Sequence, residues 1–218
     1  MQQPTVLLVI GIHREELAFG RAVAERIDAG KVAVLAISEG LSNRLPSLDE
    51  RYRHDMLLRR LYLQLLPHMV GRHRLLIDLH TGIDPAGPSV DLISCDAPLR
   101  DRLAQCIGER PEHAEKLIRV LPLGPNQSIP HVRTMIPQEV WNNPAFVYLG
   151  MEIYQPPGER ADQGALDLAL VLIQKATDCV ATELGQERGA PVAGHLSAAN
   201  GGDARPNVFQ GSLRKRRP

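Results

Sequence analysis

An α/β fold, with a largely parallel or mixed sheet sandwiched between helices, is predicted by two features of the chain. Strand-like and helix-like segments alternate along it. Two of the strand-like segments, Thr5–Ile12 and Arg74–His80, are continuous apolar runs of the kind buried on both faces of a sheet. Each run delivers a histidine, His13 or His80, to the loop at its carboxyl end, where sheets of this class hold their ligands.

The elements follow in order. After the Val- and Ile-rich first strand, Glu15 to Ile27 places Leu17, Ala18, Ala22, Val23 and Ile27 at helical spacing behind an acidic first turn. Gly30 ends that helix. Lys31–Ile37 is a second strand, and Ser38–Asp49 a polar loop with Gly40 and Pro46. A long helix is expected from about Leu48 to Val70, with Pro67 limiting its end. Arg74–His80 is the third strand and Gly82–Pro88 a loop. Val90–Ser94 is a short strand, Ala97–Glu109 a helix, and Glu112–Leu121 is ambiguous. Gly124–Pro144, rich in Pro, Gln and Asn, reads as a long functional loop. Ala145–Ile153 is a strand, Gln155–Gly158 a loop, and Asp162–Leu184 the last helix. Residues 1–184 are therefore expected to form one domain. Residues 185–218, rich in Gly, Ala, Asn and Pro and ending in Arg214-Lys-Arg-Arg217, are expected to form a flexible, solvated tail.

Bulk composition excludes several classes. The 218 residues, 44% of them hydrophobic, suffice for one domain with a sizeable core. Lys plus Arg and Asp plus Glu balance at 25 each, and aromatic residues make up 4%. That combination favours neither nucleic acid nor a membrane surface as partner. No apolar run approaches the ~20 residues that span a bilayer, and the N-terminus lacks the pattern of a signal peptide. The expected location is the cytoplasm. Cys95, Cys106 and Cys179 are widely spaced, so neither a cysteine zinc site nor a disulfide framework is indicated.

The chemistry lies at the strand ends. His13, Glu16 and His80 are two imidazoles and a carboxylate, a set that holds zinc and leaves a fourth position for water. Asp78 shares a strand face with His80 and is costly in an apolar run unless paired. One role for it is to orient a ligand or an arginine. Glu152, another carboxylate inside an apolar strand, is a candidate general base that activates the metal's water and then passes the proton to the leaving amine. Gly150 suits the close approach of a backbone or a ligand. Asn43 and Arg44 sit after the second strand, where an arginine can clamp a substrate carboxylate or support an oxyanion. Arg51 and Arg53 are rivals for that role. His54, His68, His73, His113, His131 and His195 lack partners at ligand spacing and are expected to be ordinary surface or helix histidines.

These segments resemble those of a known family. Gly11-Ile-His-Arg-Glu-Glu16 resembles the G-x-H-x-x-E zinc motif of the succinylglutamate desuccinylase/aspartoacylase family, relatives of the zinc carboxypeptidases. Ile77-Asp-Leu-His-Thr-Gly82 resembles the family's D-L-H-T segment, Asn43-Arg44 its substrate-binding pair, and Met151-Glu152-Ile153 the strand of its catalytic glutamate. Order and spacing agree from about Thr5 to Leu184. The resemblance implies a zinc carboxypeptidase-like mixed sheet between helices. It implies one Zn2+ on His13, Glu16 and His80, Glu152 as base, and Arg44 with Asn43 as substrate binders. The implied reaction removes an acyl group from an amino acid. Where the family has glycine and then an acidic residue or asparagine, Arg14 and Glu15 stand here; a long cation beside the metal could alter substrate choice. Nothing after Leu184 reads as the family's small C-terminal β domain. The Gly124–Pro144 loop, or a second subunit in a homo-oligomer, could supply the missing wall.

The leading expectation is thus a zinc-dependent amidohydrolase, a deacylase of linear amides, that cleaves a small N-acyl amino acid or related carboxylate-bearing amide. Two alternatives stand beside it. One is a carboxypeptidase-like metallopeptidase acting on short peptides. The other is a non-catalytic metal- or ligand-binding homologue.

Overall fold

Five consecutive aliphatic residues form β1 (Val6–Ile10), and all five are buried. Such a strand needs neighbours on both edges and layers on both faces. Parallel strands β2 (Val32–Ala36) and β3 (Leu75–Ile83) flank it. The computed structural model describes residues 3–44, 46–108, 118–124, 136–158 and 161–189. Within them, β6 (Val147–Gln155) lies parallel to β3, and β4 (Ser89–Ser94) lies antiparallel to β6. Strand β5 (Ile118–Pro122) is parallel to β4 and closes a six-stranded sheet in the order β2-β1-β3-β6-β4-β5. The sheet is mixed and flanked by helices, as expected.

Alternation along the strands divides the core into two layers. Leu8, Ile10, Ile77, Leu149, Met151 and Ile153 face α1 (Leu17–Ala24), α4 (Ala97–Gly108) and α6 (Gln163–Gly189). Helix α6 meets that face with Leu166, Ala169, Leu172, Ile173 and Ala176, at three- and four-residue spacing. Val9, Leu76 and Tyr148 face the opposite layer. There α2 (Leu48–Leu63), α3 (Leu66–Met69) and α5 (Gln138–Trp141) contribute Leu58, Tyr62, Met69, Val140 and Trp141.

Several boundaries differ from expectation for physical reasons. The long helix after Leu48 is two helices. Pro67 lacks an N–H and would crowd the carbonyl four residues back, at Leu63, where α2 stops; a new turn then starts around it. Strand β3 continues past His80 through Gly82 to Ile83, because pairing with β6 persists to Ile83 and Gln155 and overrides the glycine signal. The segment around Gly124–Pro144 is not wholly loop, since α5 buries Val140 and Trp141; residues 125–135 of it lie outside the described residues. The ambiguous 112–121 segment ends in β5, with residues 112–117 outside the description. Helix α6 runs to Gly189, past the expected end at Leu184, and the rest of the expected tail lies outside the described residues. Among the described residues, no helix is long and apolar enough to cross a membrane.

Candidate metal centre

The chain leaves β1 toward β2 on one side and later returns as β3 on the other, which opens a crevice at the carboxyl ends of β1 and β3. Gly11 starts the turn into it. Its φ of +81° is a left-handed conformation, and a Cβ there would lie 2.5 Å from the Ile37 carbonyl oxygen. His13 then pairs with Leu41 in an isolated parallel bridge. A single 3-10 turn, Arg14–Glu16, follows, with the Glu16 amide donating to the His13 carbonyl at 3.1 Å. Three residues per turn bring position 16 back over position 13, which is why the H-x-x-E spacing converges. His80 enters from β3, with Glu152 as its register partner on β6.

His13, Glu16 and His80 each offer a ligand atom, and these atoms lie within 4.8 Å of one another. The two imidazole centroids are 5.3 Å apart. His80 Nδ1 is 3.0 Å from Glu16 Oε2, and its Nε2 is 3.1 Å from Asp78 Oδ2. Asp78 has zero exposure. Its Oδ2 also accepts from the Tyr62 hydroxyl at 2.9 Å and the Tyr148 hydroxyl at 2.8 Å. The Tyr148 hydroxyl reaches Asp78 across Gly150, where a Cβ would stand only 3.3 Å from it. Asp78 thus orients His80 rather than an arginine, and the tyrosines hold Asp78.

Burial disfavours charge throughout this site, and partners decide each outcome. Burial pushes His80 down, but the Asp78 and Glu16 carboxylates outweigh it and hold the imidazole well above its ordinary range. Burial likewise pushes Asp78 up, and His80 with the two tyrosines brings it below the usual carboxylate value. His13 is lowered by burial and by the neighbouring His80. Among the described residues, its buried Nδ1 has no hydrogen-bond partner. Two imidazole nitrogens, one of them orphaned, beside a buried carboxylate fit a divalent transition metal such as zinc. Metal binding would have to displace the His80 proton.

These groups line a cavity of about 280 Å³ together with Glu152, Asn43 and Tyr62. Glu152 is raised to about 7 by burial, with the Glu16, Asp78 and Asp91 carboxylates adding to the shift and His80 opposing it. Asp91, its register partner on β4, is itself paired with Arg119 at 2.5 and 2.7 Å. Asn43 lies at the cavity wall, while Arg44, Arg51 and Arg53 are exposed and do not line it. Arg14 also stays outside: its Nε is 3.7 Å from Glu15, and its side chain is 64% exposed. His54 and His73 are tied to the Ser42 and Pro4 carbonyls; His113, His131 and His195 lie outside the described residues. Residue type alone does not single out Tyr62 or Tyr148 in the sequence. Tyr148 shares the period-two face of Gly150 and Glu152, and Tyr62 stands four residues after buried Leu58, so both carried a positional signal.

No protein-family model matches the chain, and no curated protein matches it in sequence. Solved structures similar to it include murine aminoacylase 3 in a point-mutant form, at 15% identity and a TM-score of 0.49, covering 86% of this chain and 66% of that one. An N-acetylmuramoyl-L-alanine amidase, AmiC2 of Nostoc punctiforme, aligns at 10% identity and a TM-score of 0.40, covering 83% and 96%. A bacteriophage poly-gamma-glutamate hydrolase aligns at 12% identity and 0.42, covering 85% and 87%. The chain thus spans just under two thirds of the mutant aminoacylase 3 chain.

Proposed function

We propose that this protein is a zinc-dependent amidohydrolase of the succinylglutamate desuccinylase/aspartoacylase type, acting on a small N-acyl amino acid or related carboxylate-bearing amide. The observation that carries this reading is the convergence of His13, Glu16 and His80 within 4.8 Å at a cavity that also contains Glu152. His13, Glu16 and His80 would hold the metal, with Asp78 fixing the His80 ring through Nε2. A bound zinc supplies Lewis acidity, which makes a water nucleophilic near neutral pH and polarises the scissile carbonyl. Glu152, raised to about 7, is matched to accept a proton from water and return it to the departing amine. Asn43 at the wall and Arg44 next to it on the loop would receive the substrate carboxylate.

Metal analysis and a hydrolysis screen test this together. Purified protein should carry about one zinc per chain, and His80→Ala should lose it. Glu152→Gln should keep the metal and lose about 10²–10⁴-fold in turnover on N-acyl amino acids. A metal-free protein that stays inactive with added zinc, or unchanged turnover in Glu152→Gln, overturns the proposal.

A further inference from the structure

Asn43 and Arg44 sit on an exposed loop, and an exposed loop does not by itself hold a side chain at a cavity wall. Here one peptide unit of that loop is gripped from both sides. The Ser42 carbonyl accepts from His54 Nε2 on α2 at 3.0 Å. The amide of the same unit, the Asn43 N–H, donates to Glu15 Oε2 at 3.1 Å. The other oxygen of Glu15 accepts from the Ser42 hydroxyl at 2.6 Å, and Ser42 Oγ in turn accepts from the Arg44 amide at 3.2 Å. Just upstream, the Leu41 amide donates to the Ile12 carbonyl, and the Arg14 amide to the Leu41 carbonyl, both at 3.0 Å. The loop is thus welded to the turn that presents His13 and Glu16.

We propose that Glu15 and His54 are positioning residues that clamp the Ser42–Asn43 peptide and so hold Asn43 and Arg44 in register with the candidate metal ligands. The assignment rests on the reading of Asn43 and Arg44 as substrate binders. Glu15 suits the task because it stands next to Glu16 on the same single 3-10 turn, so the loop is tied to the backbone that carries a ligand. A carboxylate is needed because two donors, a hydroxyl and an amide, reach its two oxygens at once. His54 suits it because Nε2–H can donate to a carbonyl while the ring stays half-buried on α2. Each grip holds a different end of the same peptide unit, so losing either leaves that unit held from one side only.

Two measurements on the zinc-loaded full chain test the clamp. The first is trypsin cleavage after exposed Arg44 under native conditions, followed by mass spectrometry of the new N-terminus at residue 45. Losing one grip should speed this cleavage about tenfold in Glu15→Ala and His54→Ala. His54→Gln, which keeps a donor, should stay close to the wild-type rate. Unchanged cleavage in both alanine variants overturns the clamp; if one variant fails to fold, the other decides. The second measurement uses the N-acetylated amino acid that the wild-type protein hydrolyses fastest from a panel. There KM should rise about tenfold in both alanine variants, with kcat within about twofold and zinc content unchanged. Faster cleavage in these variants with KM unchanged overturns the substrate-positioning role, and KM unchanged in Arg44→Ala as well overturns the assignment of Arg44. If no panel member is hydrolysed, the proposed activity falls, and the cleavage rates alone decide the clamp.

Discussion

Asp78 is a carboxylate with zero exposure, held by three donors on one oxygen and, among the described residues, none on the other. Leaving a buried acceptor short of donors is costly, and hydrogen bonds to a charged group contribute about 1.5–3 kcal/mol each. Tyr62→Phe and Tyr148→Phe should therefore each destabilise the metal-free protein by roughly that amount in urea denaturation. Asp78→Asn should weaken zinc binding about 10–100-fold in chelator competition, while leaving all three ligands in place. Glu152 makes a prediction of opposite sign. Its folded-state pKa of about 7 lies above the ordinary 4.5, so the folded protein binds this proton more tightly than the unfolded chain. Its contribution to stability is then unpenalised below about pH 4.5, declines as pH rises to about 7, and levels off above that. Glu152→Gln stays neutral throughout. In the absence of metal it should match the wild type near pH 4 and exceed it at pH 8 by about 3 kcal/mol, read from paired denaturation curves.

At the scale of elements, the turn after β1 does the positioning. Gly11 permits the left-handed step, and the 3-10 turn folds Glu16 back toward His13. A side chain at position 11 would meet both an unfavourable φ and the Ile37 carbonyl. Gly11→Ala should cost at least about 1–2 kcal/mol in unfolding free energy and also reduce zinc affinity, because the strain moves His13. An alanine variant with normal stability and normal zinc affinity would show that the backbone here tolerates the step without glycine. The extension of β3 beyond His80 has a parallel logic. Pairing with β6 carries the strand to Ile83, and it is this continued register that sets Glu152 beside His80.

For the molecule as a whole, the candidate centre ties together parts of the chain that are distant in sequence. His13 and Glu16 follow β1, whereas His80 belongs to β3, after β2 and three helices have intervened. A metal held by all three closes that long loop and binds only the folded state. Zinc at a hundredfold excess over its dissociation constant should then add about 2.7 kcal/mol to stability. The expected observation is a melting temperature that rises with zinc and falls with chelator, and that does not respond to zinc in His80→Ala. A wild-type melting temperature indifferent to zinc would remove the three residues as a ligand set.

The residue pattern alone determined the type of most strands and helices, the placement of two histidines toward the carboxyl ends of β1 and β3, and the H-x-x-E spacing that one tight turn converts into convergence. Those are local properties: apolar periodicity, a glycine's freedom and three residues per turn act over a few neighbours. Only the tertiary structure decided which carboxylate faces which imidazole. Asp78 could have met an arginine, and it meets His80 because Tyr62 and Tyr148 arrive from a helix and a neighbouring strand to hold it. Arg44 could be placed near the site by sequence order, but its exposure, and the grip of Glu15 and His54 on its loop, depend on the packing of α2 against the sheet. Such contacts join residues up to 70 positions apart, and no short-range rule of spacing encodes them.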